Sequence, residues 1–145
     1  MTVDGTGSSA TVGNAIRSID FISVIAKHES LRRSLVALLG AWGLEARSFR
    51  TPGDFVEYSR CSEGHAPSCI LIDVDHLDAG IPAVIDELKA IDGGVPMLLL
   101  HGPMRTIPQN CLDRYPARLS ILLKPYRMSD LSQALKYLLA SDDRV

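Results

Sequence analysis

Short apolar runs alternate with segments of helical period along most of this chain, and this alternation constrains the fold more than any other feature. The clearest run, Cys69 to Val74, is apolar apart from Asp73, which is typical of a parallel strand buried on both faces. A helical stripe follows that run and consists of Ile81, Val84, Ile85, Leu88 and Ile91. The pattern therefore predicts an α/β fold with this strand at the centre of its sheet.

Four more strands and four more helices are predicted around this unit. The remaining strands are Phe21 to Ile25, Glu45 to Phe49, Val95 to Leu100 and Leu119 to Leu123. Strict βα alternation with right-handed crossovers gives a doubly wound, five-stranded parallel sheet, the flavodoxin-like (βα)5 fold. Ligands of that fold bind at the carboxyl ends of the strands, near the point where the strand order reverses, so function is expected there. The residues at those ends are Ala26, Asp73, His101 and Lys124.

Capping and breaking residues predict where the helices begin and end. Gly43 is expected to end the first helix, and Thr51 to cap the second, with Pro52 in its first turn. Ser129 is expected to cap the last helix. The fourth helix is the weakest element, because the prolines between the fourth and fifth strands leave room for about two turns starting near Thr106.

Length and composition limit what kind of protein this is. A chain of 145 residues predicts one domain that buries a core without disulfides or a structural metal. Residues 1–18 are rich in Gly, Ser and Thr and are expected to form a flexible tail, which leaves a domain over residues 19–145. We expect this domain to act without an attached output domain, because no residues remain for one.

The charge balance and hydropathy argue against several partners and compartments. There are 15 Lys and Arg against 17 Asp and Glu, so the composition does not favour nucleic-acid binding. The longest apolar stretch, Leu35 to Trp42, is too short to cross a membrane, and the N-terminus has no signal-peptide pattern. The three cysteines form no CxxC pair, which suits a reducing compartment. A cytoplasmic protein is therefore expected.

Three groups of residues give the chain a resemblance to a known family. They are Ile70 to Asp73 at the end of the third strand, Lys124 to Tyr126 after the fifth, and Ser30 to Leu35 at the start of the first helix. On these residues the chain resembles the receiver domains of response regulators, the phosphoacceptor modules of two-component signalling, over roughly residues 19 to 141. The resemblance implies that Asp73 stands at the phosphoacceptor position and Lys124 at that of the lysine that contacts the phosphoryl oxygens.

The chain departs from the receiver pattern at the other positions of the site. Receivers end their first strand with two acids that hold Mg²⁺ together with the phosphoacceptor, whereas Ala26 and Lys27 stand there in this chain. His101 stands where receivers carry Thr or Ser, and Ile121 where they often carry the Tyr or Phe that rearranges with that hydroxyl. These replacements imply a degenerate, atypical receiver.

The missing acid pair has a calculable effect on metal binding. Two acids and the acceptor present about three negative charges to a divalent ion, whereas Asp73 and Lys27 sum to about zero and supply fewer oxygen ligands. A lysine ammonium about 5 Å from the ion would repel it by roughly 6 kcal/mol at an effective dielectric constant of about 20. Mg²⁺ binding in the usual mode, and with it phosphorylation of Asp73, is therefore not expected.

Two side chains at the site are open to more than one interpretation. Lys27 either replaces the metal by pairing with Asp73 alongside Lys124, or points into solvent with no role. His101 is either a pH-sensitive partner or a phosphoryl contact near Asp73. Alternatively, it is a replaced residue without a role, in a site that no longer carries out phosphoryl chemistry.

Three other groups of residues are weaker candidates for a site. They are Cys61, His65 and Cys69; Asp73, Asp75, His76 and Asp78; and Arg32, Arg33, Arg47 and Arg50. The first group has ligand-like spacing, but Cys69 opens a buried strand, and a small core residue is the favoured interpretation. The second is interpreted as a solvated acidic loop rather than a cation site, and the third as scattered surface arginines rather than a partner interface.

The sequence thus predicts a signal-transduction module that binds other proteins. No metal, no cofactor and no enzymatic activity are expected, because no nucleophile with an adjacent base can be assembled. The expected partner is another signalling protein, such as a histidine kinase, a regulator or an effector, or a second copy of the chain. Two alternatives stay open: a working response regulator phosphorylated on Asp73, and a small-molecule or redox sensor with Lys27, His101 and Lys124 as an anion pocket.

Overall fold

The computed structural model describes residues 21–61, 66–91, 95–113, 115 and 118–140. The predicted N-terminal tail and His65 lie outside these residues. The described strands are β1 (Ile22–Ile25), β2 (Ala46–Phe49), β3 (Cys69–Asp73), β4 (Met97–His101) and β5 (Leu119–Leu123). The described helices are α1 (Glu29–Ala41), α2 (Pro52–Cys61), α3 (Ile81–Ile91), α4 (Gln109–Asp113) and α5 (Met128–Leu139). No helix in this part of the chain is long and apolar enough to cross a membrane.

The described strands are all parallel and lie in the order β2-β1-β3-β4-β5. This order confirms the predicted flavodoxin-like (βα)5 fold, with β3 at the centre and the reversal of strand order between β1 and β3. Ile25 of β1 lies beside Ile72 of β3, and Asp73 lies beside Leu100 of β4. The three strands therefore end at nearly the same level, and the loops that follow them meet at one edge of the sheet.

Apolar side chains pack against both faces of the sheet, because successive strand residues point to opposite faces. β3 is buried at every position, as its unbroken apolar run predicts. The layer on the side of α2, α3 and α4 includes Phe55, Ile72, Leu88 and Leu99, and the layer on the side of α1 and α5 includes Leu39, Leu71, Leu98 and Leu131. Burial of each such side chain contributes roughly 1.5–3 kcal/mol, so these layers hold the strand ends in place.

Two predicted helix boundaries are confirmed by their hydrogen bonds. After α1, Gly43 adopts a left-handed φ of 82°, and the N–H groups of Gly43 and Leu44 donate to the carbonyl oxygens of Gly40 and Leu39, both at 3.0 Å. This is the Schellman arrangement that a glycine at this position favours. At the start of α2, the Thr51 hydroxyl accepts a hydrogen bond of 3.0 Å from the Asp54 N–H.

Two helix starts differ from the prediction. α4 is a single turn that begins directly after Pro108 rather than near Thr106, because a proline disfavours helical conformation in the residue before it. α5 begins at Met128, two residues earlier than a Ser129 cap requires, so that prediction is wrong. The Asp130 carboxylate performs the capping instead, since it accepts a hydrogen bond of 3.0 Å from the Arg127 N–H.

The edge strand β5 is covered less completely than the other strands. Its residues Ile121 and Leu123, called here the β5 strip, are 37% and 53% exposed. They share a face with Leu119, which packs against the layer beneath α4. Because α4 has only one turn, it leaves the β5 strip open to solvent.

Candidate functional site

The central feature of the site is an ion pair between Asp73 and Lys124. Asp73 is the last residue of β3 and is almost fully buried, whereas Lys124 follows β5 directly. The Lys124 Nζ lies 2.8 Å from the Asp73 Oδ2. The Lys124 backbone N–H also donates to the His101 carbonyl at 2.8 Å, which continues the pairing of β4 with β5 and sets the lysine's position at this edge. The two residues that the sequence analysis placed at the phosphoacceptor and lysine positions are thus in direct contact.

A second carboxylate, that of Asp75, completes the arrangement. Its Oδ2 lies 2.9 Å from the Lys124 Nζ, and its Oδ1 accepts a hydrogen bond of 2.9 Å from the Gly102 N–H. The Asp75 N–H donates to the Asp73 Oδ1 at 2.9 Å, which ties the loop after β3 back to its own strand. Interpreting Asp75 as part of a solvated acidic loop was therefore wrong. Its position two residues beyond a strand end was the only available signal of a role at this edge.

Gly102 allows the Asp75 carboxylate to come close to the backbone after β4. A Cβ at position 102 would lie 3.0 Å from the Asp75 Oδ2, which is tighter than ordinary van der Waals contact. The absence of a side chain at Gly102 therefore matters for packing against a carboxylate, a requirement that the sequence pattern did not show.

The charged forms of these groups are stabilised by one another. Partial burial alone would lower the pKa of Lys124, but its hydrogen bonds to Asp73 and Asp75 outweigh burial, so the pKa lies above its ordinary value. Burial likewise would raise the pKa of Asp75, but the hydrogen bonds from Gly102 and Lys124 bring it below its ordinary value. The ion pairs of Lys124 with Asp73 and Asp75 join two carboxylates to one ammonium, which gives this group of side chains a net charge of −1.

The residues at the acid-pair positions supply no carboxylate. Ala26 is buried at the end of β1, and Lys27 is exposed and, in the described part of the chain, forms no ion pair with Asp73. Of the two interpretations of Lys27, the pairing with Asp73 is not formed, because Lys124 binds that carboxylate, and Lys27 is exposed to solvent instead. Arg32 from α1 donates from Nη1 to the carbonyl oxygens of Ala26 and Lys27, at 2.9 and 2.8 Å. Arg32 therefore fixes the loop after β1, a role that was missed when it was interpreted as a scattered surface residue.

His101 is directed at its own loop. Its Nδ1 lies 3.0 Å from the Gly102 carbonyl oxygen and 3.2 Å from that of Arg105. Because both partners are acceptors, we assign the proton to Nδ1. The ring forms no hydrogen bond with Asp73 and instead stabilises the turn between β4 and α4, which presents the Gly102 N–H to Asp75.

A cavity of about 380 Å³ is lined by Asp73 but not by Lys124. It is enclosed by the loops after β1, β2 and β3, and its lining includes Lys27, Arg50, Thr51, Asp73, His76 and Asp78. His101 and Lys124 do not line this cavity, so the anion pocket of Lys27, His101 and Lys124 that the sequence suggested is not assembled.

Few of the described side chains are suited to metal binding or to thiol chemistry. Among the described residues, no cluster of three or more His, Cys, Asp or Glu side chains has a geometry that could hold a metal ion. Burial raises the pKa of the Cys69 thiol to about 12, so Cys69 is a protonated core residue at neutral pH. Cys61 is an exposed free thiol at the end of α2.

The fold is shared with many solved structures. This chain is similar to a protein described as an adenylate cyclase from Rhodopirellula baltica, with a TM-score of 0.72 and 20% identity over 83% of this chain and 87% of that chain. A response regulator receiver domain protein from Clostridium thermocellum gives a TM-score of 0.70 and 18% identity, over 83% and 94% of the two chains. A response regulator receiver protein from Sinorhizobium medicae gives 0.68 and 18%, over 84% and 95%.

The protein thus has the fold of response-regulator receiver domains. Identities of 20% or less to these three structures establish the fold and leave the function to be argued from the site. No protein-family model and no curated protein sequence matches the chain.

Proposed function

We propose that this protein is an atypical receiver module that transmits a signal through contact with another protein, without Mg²⁺-dependent phosphorylation of Asp73. The observation that carries the proposal is the closed network at Asp73, in which Lys124 is bound to two carboxylates at once. A phosphoacceptor must present a carboxylate oxygen to the incoming phosphoryl group, and both oxygens of Asp73 are already hydrogen bonded.

The metal that would assist phosphoryl transfer has few ligands at this edge. Mg²⁺ requires several oxygen ligands in octahedral geometry, whereas Ala26 and Lys27 provide a methyl group and an ammonium. The backbone carbonyls of these two residues are engaged by Arg32, whose guanidinium adds a positive charge to the loop. Without the metal, attack by Asp73 on a phosphoryl group loses the main stabilisation of its developing charge.

An interaction surface is available on the side of β5. The β5 strip is apolar and exposed, and Met104 and Met128, which follow β4 and begin α5, are 95% and 60% exposed. A patch of exposed apolar side chains, such as the β5 strip, is a candidate site of protein contact. We infer that the partner is a cytoplasmic signalling protein, such as a histidine kinase, a regulator or an effector, or a second copy of this chain, and that the module itself is not an enzyme.

Incubation of the purified protein with acetyl phosphate, with and without Mg²⁺, tests the proposal by intact-mass spectrometry. We expect no gain of a phosphoryl group under conditions that label an intact receiver in parallel. The Asp73→Asn variant is the matched control. A Mg²⁺-dependent adduct that is lost in Asp73→Asn would show a working response regulator instead.

A further inference from the structure

Two hydrogen-bond donors converge beside Asp73 from different strands. They are the Lys124 Nζ, which follows β5, and the Gly102 backbone N–H, which follows β4. An ammonium and a backbone N–H aimed at a common point form a cradle for an oxyanion, since each offers a proton to a different oxygen. In this structure one carboxylate, that of Asp75, accepts from both.

We propose that Asp75 is an internal ligand of this oxyanion cradle and closes it to phosphate and to phosphoryl groups from outside. The inference deepens the proposed function and rests on it, because it names the group that keeps the receiver-like site in one state. Asp75 thereby takes the place of an added anion, and the arrangement around Lys124 does not depend on a modification of Asp73.

The geometry favours the internal carboxylate over a free anion. Each Asp75 oxygen has its own donor, with Oδ1 at 2.9 Å from the Gly102 N and Oδ2 at 2.9 Å from the Lys124 Nζ. The Asp75 backbone is anchored by its N–H bond to Asp73, so the carboxylate loses little further freedom when it binds. Because it belongs to the same chain, it competes at a high effective concentration with any anion in solution.

The net charge of the site also favours the Asp75 carboxylate over a free anion. The two carboxylates and the Lys124 ammonium already carry a net charge of −1, so a phosphate dianion entering the cradle would be repelled. Removal of the Asp75 carboxylate frees both donors, and neutralisation of Asp73 removes the remaining repulsion. The cradle should then bind a tetrahedral oxyanion.

Binding of inorganic phosphate to two variants tests the proposal. In Asp73→Asn the cradle keeps Asp75 as its internal ligand. In Asp73→Asn/Asp75→Ala, called here the open variant, both donors of the cradle lack that ligand. Titration followed by the amide resonances of Gly102 and its neighbours should give an affinity about tenfold or more higher in the double variant, the range expected for hydrogen bonds to a charged group. Equal affinity in the two proteins would overturn the proposal.

Asp73→Asn/Asp78→Ala is the matched control for net charge. Asp78 lies in the same loop, is exposed and does not contact Lys124. If its removal raises phosphate affinity as much as removal of Asp75 does, the effect is general electrostatics and the proposal is wrong. Addition of Lys124→Met to the open variant should abolish the gained binding, and retention of that binding would place the anion elsewhere.

A measurement on the unaltered protein covers the case in which the open variant does not fold. The Gly102 amide proton resonance should shift with pH as the Asp75 carboxylate titrates, and Asp75→Asn should remove that transition while Asp78→Asn retains it. A Gly102 amide that does not report Asp75 would contradict the proposal.

The failures of the two proposals are distinguishable. Labelling of wild-type Asp73 by acetyl phosphate would reject the proposed function and, with it, the closure of the cradle to phosphoryl groups by Asp75. Absence of labelling, combined with unchanged phosphate affinity, would reject the role of Asp75 alone.

Discussion

At the scale of single residues, Lys124 has the largest electrostatic role in the site. It neutralises Asp73, whose side chain is only 3% exposed, and it also binds Asp75. Removal of a partner from a buried ion pair is more damaging than loss of a surface pair, because the remaining charge is left without compensation. The sequence indicated the pair of Asp73 and Lys124 through the strand ends, but the contact with Asp75 depends on the conformation of two loops.

Lys124→Met is expected to lower the free energy of unfolding by about 2–3 kcal/mol at neutral pH, because Asp73 stays buried without its cation. Urea denaturation measures this loss. Lys89→Met is the matched control, since Lys89 forms a 3.8 Å pair with Asp86 on the surface of α3, where a change of about 0–1 kcal/mol is expected. A loss in Lys124→Met no larger than in the control would contradict the assigned role.

The free energy of unfolding should decrease at low pH, the acid limb, and again at high pH, the alkaline limb. The pKa of Asp75 is lowered on folding, so its contribution is present above its ordinary value of about 4 and is lost as the pH falls through the folded value. The pKa of Lys124 is raised, so its contribution is present below about 10.4 and is lost as the pH rises through the folded value.

Thermal unfolding as a function of pH checks both limbs. In Asp75→Asn the acid limb should become shallower, because the group that must be protonated is gone. Asp54→Asn serves as the comparison, since Asp54 is exposed and lies outside the network around Lys124. An acid limb unchanged in Asp75→Asn would show that other carboxylates dominate it.

At the scale of elements, the ends of the helices decide where the functional loops begin. Gly43 and Thr51 act through local hydrogen bonds, so the sequence was sufficient to place the end of α1 and the start of α2. The start of α5 was misplaced by two residues, because the helix begins after Arg127 and the Asp130 carboxylate, in its first turn, accepts the hydrogen bond from the Arg127 N–H. Local sequence patterns thus identify candidate capping residues, and the path of the preceding backbone determines which of them caps the helix.

Two glycines near the end of α1 should respond oppositely to the same substitution. Gly43→Ala is expected to cost about 1 kcal/mol, because an alanine at a φ of 82° is strained. Gly40→Ala is expected to stabilise the domain by about 0.5–1 kcal/mol, because a Cβ there meets nothing within 4 Å and alanine favours a helix. Chemical denaturation of the two variants measures both signs, and a loss in Gly40→Ala would contradict the described packing.

At the scale of the whole molecule, the short α4 separates the roles of β4 and β5. Leu99 of β4 is fully buried in the layer beneath α3 and α4, whereas Ile121 of β5 is 37% exposed on the same face of the sheet. Leu99 of β4 therefore packs in the core, whereas β5 exposes apolar side chains to solvent. This difference leaves the apolar side chains of the β5 strip exposed to solvent, available for the partner contact that we propose.

Leu99→Ala is expected to cost about 2–5 kcal/mol, whereas Ile121→Ala should cost less than about 1 kcal/mol. Guanidinium denaturation at neutral pH compares the two. If the two losses were similar, Ile121 would belong to the core, and the β5 strip would not be a free surface for a partner.

The elements and their order follow from the sequence, because the period of the apolar residues, the helix caps and the strand ends are local properties. It also placed Asp73 and Lys124 at one edge of the sheet, since parallel strands bring their carboxyl ends together. Three features of the site depend on long-range packing instead: Lys124, rather than Lys27, pairs with Asp73, His101 faces its own loop, and Asp75 accepts from both Lys124 and Gly102. Asp75 and Lys124 are 49 residues apart, and a contact of 2.9 Å between them depends on how the whole domain packs its loops.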